Sequence, residues 1–419
     1  MANSSVETDM HGVSTPATPS FVTEAAAIVS DLVALRRALH AEPEVGLHLP
    51  HTQRGVLTAL HGLGLEIHQG TRTTSVVAVL RGGRPGPVVL LRGDMDALPI
   101  PEETGLNFAS KNGNMHACGH DLHTAALVGA ARLLSAHRQQ LPGTVVFMFQ
   151  PGEEDEWGGA RIMMDEGVLE AAGERPIAAY AIHVVPGPYG VFTTRPGAML
   201  AGCSTLKITV RGRAGHASQP HRVLDPVPVA AQIIVALQTY VTRTFDVMDP
   251  VVISVTQVRT PPGPLTVTPG LIQLEGTVRT FSQSAVDTLQ RDLPVLIEGI
   301  AAAHRCGGEV TLTVTEPVTV NDTASTTQVM DCLRSTFGEH RVKVMPTPQM
   351  GSEDFAHVLH EIPGTFIALT ASPVGIDAAT TEYNHSPRVI FDDTILADQA
   401  AALATIAFSR LQDTSHAVA

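Results

Sequence analysis

Apolar residues in 24–40 recur at helical spacing (Ala27, Ile28, Leu32, Val33, Leu35, Leu39), and Arg36 and Arg37 fall in the last turns, where cations suit the helix dipole. That periodicity predicts a helix. Two β-branched runs, 75–80 and 88–91, follow as strands, with the turn-formers Gly82-Gly83-Arg84-Pro85-Gly86 predicted between them. The second run ends in Arg92-Gly93-Asp94-Met95-Asp96. A helix over 122–137, a strand over 144–149, a helix over 160–166 and a strand over 178–183 continue the alternation. Such alternation argues for an α/β fold, a mainly parallel sheet with helices on both faces.

The pattern then changes character. Strands at 206–211, 251–255, 271–278 and 310–314, with long apolar-periodic helices at 226–245 and 285–304, give the order βαββαβ. This is the ferredoxin-like, split-βαβ arrangement, read as an inserted α+β lid. After it the α/β alternation resumes with a helix at 326–336, a short strand at 342–344, a strand at 365–369 and a terminal helix over 393–411. The expected organisation is a disordered tail (1–22), a first catalytic part (23–204), the lid (205–320) and a second catalytic part (321–419).

Composition narrows the function. The chain has 419 residues, 44% of them hydrophobic, enough to bury cores without staples; at roughly 100–200 residues per domain the length fits two or three domains. Residues 1–22 are rich in Ser, Thr and Pro, without the basic and apolar regions of a signal peptide. No stretch reaches ~18 uninterrupted apolar residues, so no membrane helix is expected. The 27 basic against 41 acidic residues give a formal charge of −14 with no basic run, which argues against nucleic-acid and anionic-membrane partners. Cys118, Cys203, Cys306 and Cys332 are irregularly spaced and make no disulfide framework, so a cytoplasmic protein is expected. The 19 histidines beside an acidic surplus stock metal sites, but equally surfaces and cores.

Position along the chain is more informative than count. Five polar clusters sit at or just after predicted strands or in loops, where open α/β sheets place their sites: Asp94 with Asp96, 116–121, Gln150-Pro151-Gly152-Glu153-Glu154, His183, and His385. Cys118 and His120, one glycine apart, offer a thiolate and an imidazole to zinc, nickel, cobalt or manganese rather than calcium or magnesium. Alone, the pair reads as readily as a buried cysteine and a histidine near a helix start, or as a thiol nucleophile with its base. Glu153-Glu154 places two like charges after a strand, and a cation offsets that repulsion if one glutamate binds it and the other acts as base. A solvated acidic loop, extended by Asp155 and Glu156, is the alternative. His183 and His385 are singly unremarkable. Together with Cys118, His120 and Glu154 they make a full ligand set for one or two transition metals.

These motifs, with Arg92 to Pro99, Gly212-Arg213-Ala214-Gly215-His216-Ala217, Gly351-Ser352-Glu353-Asp354-Phe355 and His385-Ser386-Pro387, resemble the metallopeptidase family of aminoacylases and glutamate carboxypeptidases, in its amidohydrolase branch. The resemblance runs in order over about residues 30–410. It implies that Cys118, His120, Glu154, His183 and His385 hold one or two divalent ions (zinc, manganese, nickel or cobalt) and that Glu153 is the general base. It assigns Asp96 to orienting the metal cluster from behind. It makes His216, reaching the partner subunit's site, the stabiliser of the oxyanion, which in turn implies a homodimer or higher oligomer formed through the lid. Arg279 reads either as a bidentate holder of the substrate carboxylate or as a surface arginine. The implied reaction is hydrolysis of a small N-acyl amino acid, with a dipeptidase or aminopeptidase as the alternative on the same metals and a catalytically idle relative as a third reading.

Two departures from the family pattern bear on substrate scope. Relatives carry Asn-Val-Ile-Pro-Asp where this chain has Thr266-Val267-Thr268-Pro269-Gly270, so a hydroxyl replaces a substrate-contacting amide. The only tryptophan, Trp157, follows the glutamate pair, either as a wall of the acyl pocket or as a hydrophobic anchor for the loop.

Overall fold

A computed structural model describes residues 19–154, 157–376 and 380–417. Residues 1–18, which make up most of the expected tail, together with Asp155 and Glu156, lie outside the described residues. The first helix, α1 (Phe21–Ala41), is followed by α2 (Pro50–Leu60) and by strands β1 (Glu66–Gln69), β2 (Val76–Arg81) and β3 (Arg84–Asp94). Then come α3 (His120–Ala136), β4 (Pro142–Gln150), α4 (Gly159–Asp165), β5 (Ala178–Val185) and β6 (Phe192–Thr194). The expected turn over 82–86 is shorter than its composition suggests, because β3 already begins at Arg84 and leaves Gly82 and Gly83 to reverse the chain.

Beyond a short strand β7 (Gly197–Leu200) lie β8 (Gly202–Arg211), β9 (Gly215–His216), α5 (Pro226–Thr244), β10 (Val252–Arg259), β11 (Val267–Thr268), β12 (Leu271–Thr280), α6 (Gln283–Ala303) and β13 (Gly307–Glu316). The chain closes with β14 (Thr319–Asn321), α7 (Thr323–Phe337), β15 (Val342–Val344), α8 (Ala356–Glu361), β16 (Gly364–Thr370) and α9 (Ile395–Ala417).

The large sheet has the order β1-β2-β4-β3-β5-β16-β6-β15. Its inner four strands, β4-β3-β5-β16, run parallel, whereas β1, β2 and β6 join by antiparallel pairing toward the edges. Strand alternation assigns the core to two faces. Val89, Leu91, Phe147, Tyr180 and Ile367 point to one face with α1, α3 and α9. Val88, Leu90, Met148, Ala179 and Phe366 point to the other, under α4 and α8. Because both faces are covered, β3 and β4 read as unbroken apolar runs rather than as alternating ones. Arg36 of α1 is buried and ion-paired to Asp121 at 2.6 Å and to Asp393 at 2.7 Å, so one guanidinium ties α1 to the start of α3 and to the approach to α9.

A second sheet, all antiparallel, has the order β10-β12-β8-β13. The unit β8-α5-β10 is split by β12, the sheet order expected of βαββαβ. Both of its helices pack on one face over Leu206, Ile208, Leu274 and Val278, a core separate from those of the large sheet. The other face presents Thr205, Thr277 and Arg279.

Candidate active site

The functional side chains stand at the carboxyl ends of the parallel strands, where an open sheet leaves a crevice. Strand β3 ends on Asp94, with Asp96 two residues further; Glu153 and Glu154 follow β4; His183 lies near the end of β5; His385 comes from the loop between β16 and α9. His120 opens α3. Gly119, which precedes it, has a φ of +84°, and a Cβ there would collide with the Val184 side chain. The turn requires glycine, and it points Cys118 and His120 toward the same space.

Cys118, His120 and Glu154 place ligand atoms within 4.8 Å of one another. His183 Nε2 lies 3.4 Å from Cys118 Sγ, and His385 Nε2 lies 3.2 Å from Glu154 Oε1. All five residues assigned as ligands by resemblance are therefore brought together. His183 Nδ1 is 2.8 Å from the carbonyl of Val184, which can only accept, so the ring proton sits on Nδ1 and the Nε2 lone pair faces the cluster. His385 adopts a left-handed φ of 70°, a conformation uncommon for a side chain with a Cβ and concentrated at functional sites.

Asp96 does more than stand behind the cluster. Its two carboxylate oxygens accept the backbone N–H groups of Glu153 at 3.1 Å and Glu154 at 3.0 Å, which fixes the glutamate loop. Its Oδ1 also lies 3.4 Å from His120 Nδ1. A further layer escapes sequence reasoning. His123 Nδ1 meets Asp94 at 2.5 Å while its Nε2 accepts the Val184 N–H at 2.8 Å, so His123 is fully committed and acts as a brace rather than a ligand. Its i, i+3 spacing from His120 is the sequence signal that marks it. Arg92, fully buried, pairs with Asp94 at 2.5 Å and with Glu353 at 2.7 Å, joining β3 to the Gly351–Phe355 segment.

The electrostatics ask for a cation. Burial drives the Glu153 carboxyl well above the usual range, reinforced by Glu353 and Glu154. Burial also pushes Glu154 up, but the His385 hydrogen bond and nearby charges outweigh it and hold it below its usual value. Hydrogen bonds accepted from its ring by Cys118 and then by Glu154 push His385 up to about 10. Both ring nitrogens of His120 are buried without a hydrogen-bond partner among the described residues. Buried polar atoms are rarely left this way, and a thiol, imidazole and carboxylate set suits a divalent transition metal. The residues present fit such an ion.

A cavity of about 840 Å³ opens beside this cluster and reaches the second sheet; Arg279 lines it. His216 and Thr266 do not reach it. Both are exposed around the β9–β11 ladder, where His216 Nδ1 meets the Ser218 hydroxyl at 2.9 Å and the Thr266 carbonyl accepts the Ala217 N–H. Trp157 lies with its ring against Gly46 and its Cβ against Gly152, outside the cavity lining, the placement of a loop anchor rather than of a pocket wall.

A crevice at the ends of parallel strands, lined by transition-metal donors and an adjacent free carboxylate, defines a metal-binding hydrolase. The chain belongs to the family described as "Peptidase family M20/M25/M40", whose model matches residues 90–408. It is 36% identical over 390 residues to an IAA-amino acid hydrolase of Arabidopsis thaliana, covering 91% of this chain and 85% of that relative. It is 34% identical over 387 residues to an N-acetylcysteine deacetylase of Bacillus subtilis, covering 91% and 98%. Among solved structures, a Bacillus subtilis protein described as a dinuclear metal binding peptidase of the M20 family superposes with a TM-score of 0.77 at 32% identity, covering 92% and 99%. The protein is accordingly an enzyme that hydrolyses amide bonds with divalent metal. Among the described residues no helix is long and apolar enough to cross a membrane.

Proposed function

We propose that the enzyme hydrolyses the amide bond of N-acyl amino acids, releasing a carboxylic acid and a free amino acid. In this reading Cys118, His120, Glu154, His183 and His385 hold one or two ions of zinc, manganese, nickel or cobalt. The observation that carries it is the convergence of these five donors, with both ring nitrogens of His120 left without a hydrogen bond, beside a Glu153 carboxylate that comes no nearer to His120 than 3.9 Å. The bound ion supplies Lewis acidity toward the amide carbonyl and makes water more acidic. Glu153 takes the proton of the attacking water and returns it to the leaving amine, so no covalent intermediate is needed. Asp96 holds Glu153 and Glu154 at fixed spacing by their backbone N–H groups. Arg279, in the cavity wall, takes the substrate carboxylate.

The unit over 205–320 is a ferredoxin-like lid and dimerisation domain, set between catalytic parts 23–204 and 321–419. Through it a second copy brings His216 to the oxyanion and Thr266 to the substrate. The four free cysteines fit a reducing, cytoplasmic setting.

The test is chelation and metal add-back, with Glu153→Gln, on acetyl-, benzoyl- and long-chain acyl amino acids beside dipeptides with a free amine. Activity is expected to vanish with the metal, to return with it, and to fall at least 10²-fold in Glu153→Gln. Full hydrolysis by the chelated protein or by that variant overturns the mechanism. Preference for free-amine dipeptides replaces the substrate class.

A further inference from the structure

The wall of the cavity opposite the metal donors carries two unlike charges that the mechanism only half uses. Arg279 of β12 and Glu316 of β13 both register against Cys203 of β8, the strand between them, so Arg279, Cys203 and Glu316 form one row across the sheet. Directly opposed residues on antiparallel strands share a face, and all three line the cavity. Glu316 reaches that position through a register shift between Val314 and Glu316, a bulge that re-aims the side chain at the end of the strand. Each charge keeps one unsatisfied atom. Nη1 of Arg279 and Oε2 of Glu316 are each buried without a hydrogen-bond partner among the described residues. Burial, reinforced by the like charges of Asp354 and Glu154, outweighs the Ser352 hydrogen bond and the Arg279 charge and pushes Glu316 up to about 7. A buried oxygen left unpaired is costly, and a ligand donor aimed at it recovers that cost.

We propose that Glu316 is a specificity residue that receives a free ammonium group of the substrate, while Arg279 takes its carboxylate. This rests on the hydrolase reading above and narrows it. The favoured substrates are acylated diamino acids, with one amine in the scissile amide and the other free and protonated. A neutral side chain of similar length leaves Glu316 unpaired and is bound less well.

The test compares Nα-acetyl-lysine and Nε-acetyl-lysine with Nα-acetyl-norleucine on the metal-loaded enzyme. At least one lysine conjugate is expected to exceed the norleucine conjugate about tenfold in kcat/KM, with the difference carried by KM, as one charge-assisted hydrogen bond implies. Glu316→Gln, an isosteric change, should bring that ratio to near one; Glu316→Asp should keep part of it. A readout independent of turnover is calorimetric binding of the same compounds to metal-loaded Glu153→Gln protein, where the lysine conjugate should bind about tenfold tighter. Equal kcat/KM and equal affinity for charged and neutral conjugates overturn the proposal while leaving the hydrolase reading intact. An equal loss on both substrates in Glu316→Gln also overturns it. Preferential binding without turnover of any compound supports the subsite and overturns the hydrolase reading instead.

Discussion

Between Cys118 and His120 the chain passes through Gly119 at a φ of +84°, with the Val184 side chain occupying the space a Cβ would need. Gly119→Ala therefore meets both a backbone penalty and a clash, and should lower stability by about 1–3 kcal/mol, read by denaturant unfolding of the metal-free protein. It should also weaken metal affinity, because the two donors it orients no longer converge. Asp96→Asn tests a different link. An amide offers one acceptor where the carboxylate offers two, so either the Glu153 or the Glu154 N–H is left facing an NH₂ group. Metal affinity or kcat should fall about 10–100-fold, the usual cost of losing a supporting partner, while the isosteric change leaves the fold in place by circular dichroism. At this scale the sequence was legible wherever a donor sits in a short motif, and all five donors meet in space. Arg92 and Glu353 each fell within a motif, but their pairing across 261 positions was not legible. No local pattern encodes such a contact.

Elements were legible in proportion to how much apolar surface they bury. The helices over 226–245 and 285–304 and the strands at 178–183 and 365–369 lie within a few residues of their observed bounds, because burial imposes their periodicity. Strand β1 was missed because all four of its residues are exposed, so it shows no alternation. Helix α2 was missed because only three of its eleven residues are buried, too few to mark a face. The inner strands of the large sheet are parallel as the alternation implied, whereas the antiparallel edges follow from register and short connections that hydrophobicity does not report. The second sheet has its own core, which yields an element-scale prediction. Leu289 of α6 is fully buried there, and Leu289→Ala should cost about 2–5 kcal/mol. If the unit over 205–320 is a separate domain, calorimetry should show this loss in one transition, while added divalent metal raises the other; a single transition shifted by both changes rejects the boundary.

For the whole molecule, the deciding question is where His216 works. Within one chain it is exposed on the β9–β11 ladder and does not line the cavity that holds Glu153. On the outer side of the second sheet's helices, Val235 is 66% and Val295 is 73% exposed, apolar area of the kind that a second copy would cover. A C2 dimer formed on this side is isologous, so each subunit would lend its His216 to the other. Complementation separates this arrangement from one in which His216 swings into its own site. His216→Ala and Glu153→Gln homodimers should each be nearly inactive. Mixed after reversible dissociation, they form hybrids in which the His216→Ala subunit keeps Glu153 and borrows His216 from its neighbour. Half the subunit pairs are hybrids and each hybrid has one complete site, so activity should return to about a quarter of the unmutated enzyme. If His216 serves its own chain, no site in any hybrid is complete and the mixture stays inactive. A chain that sediments as a monomer while fully active excludes the shared site altogether.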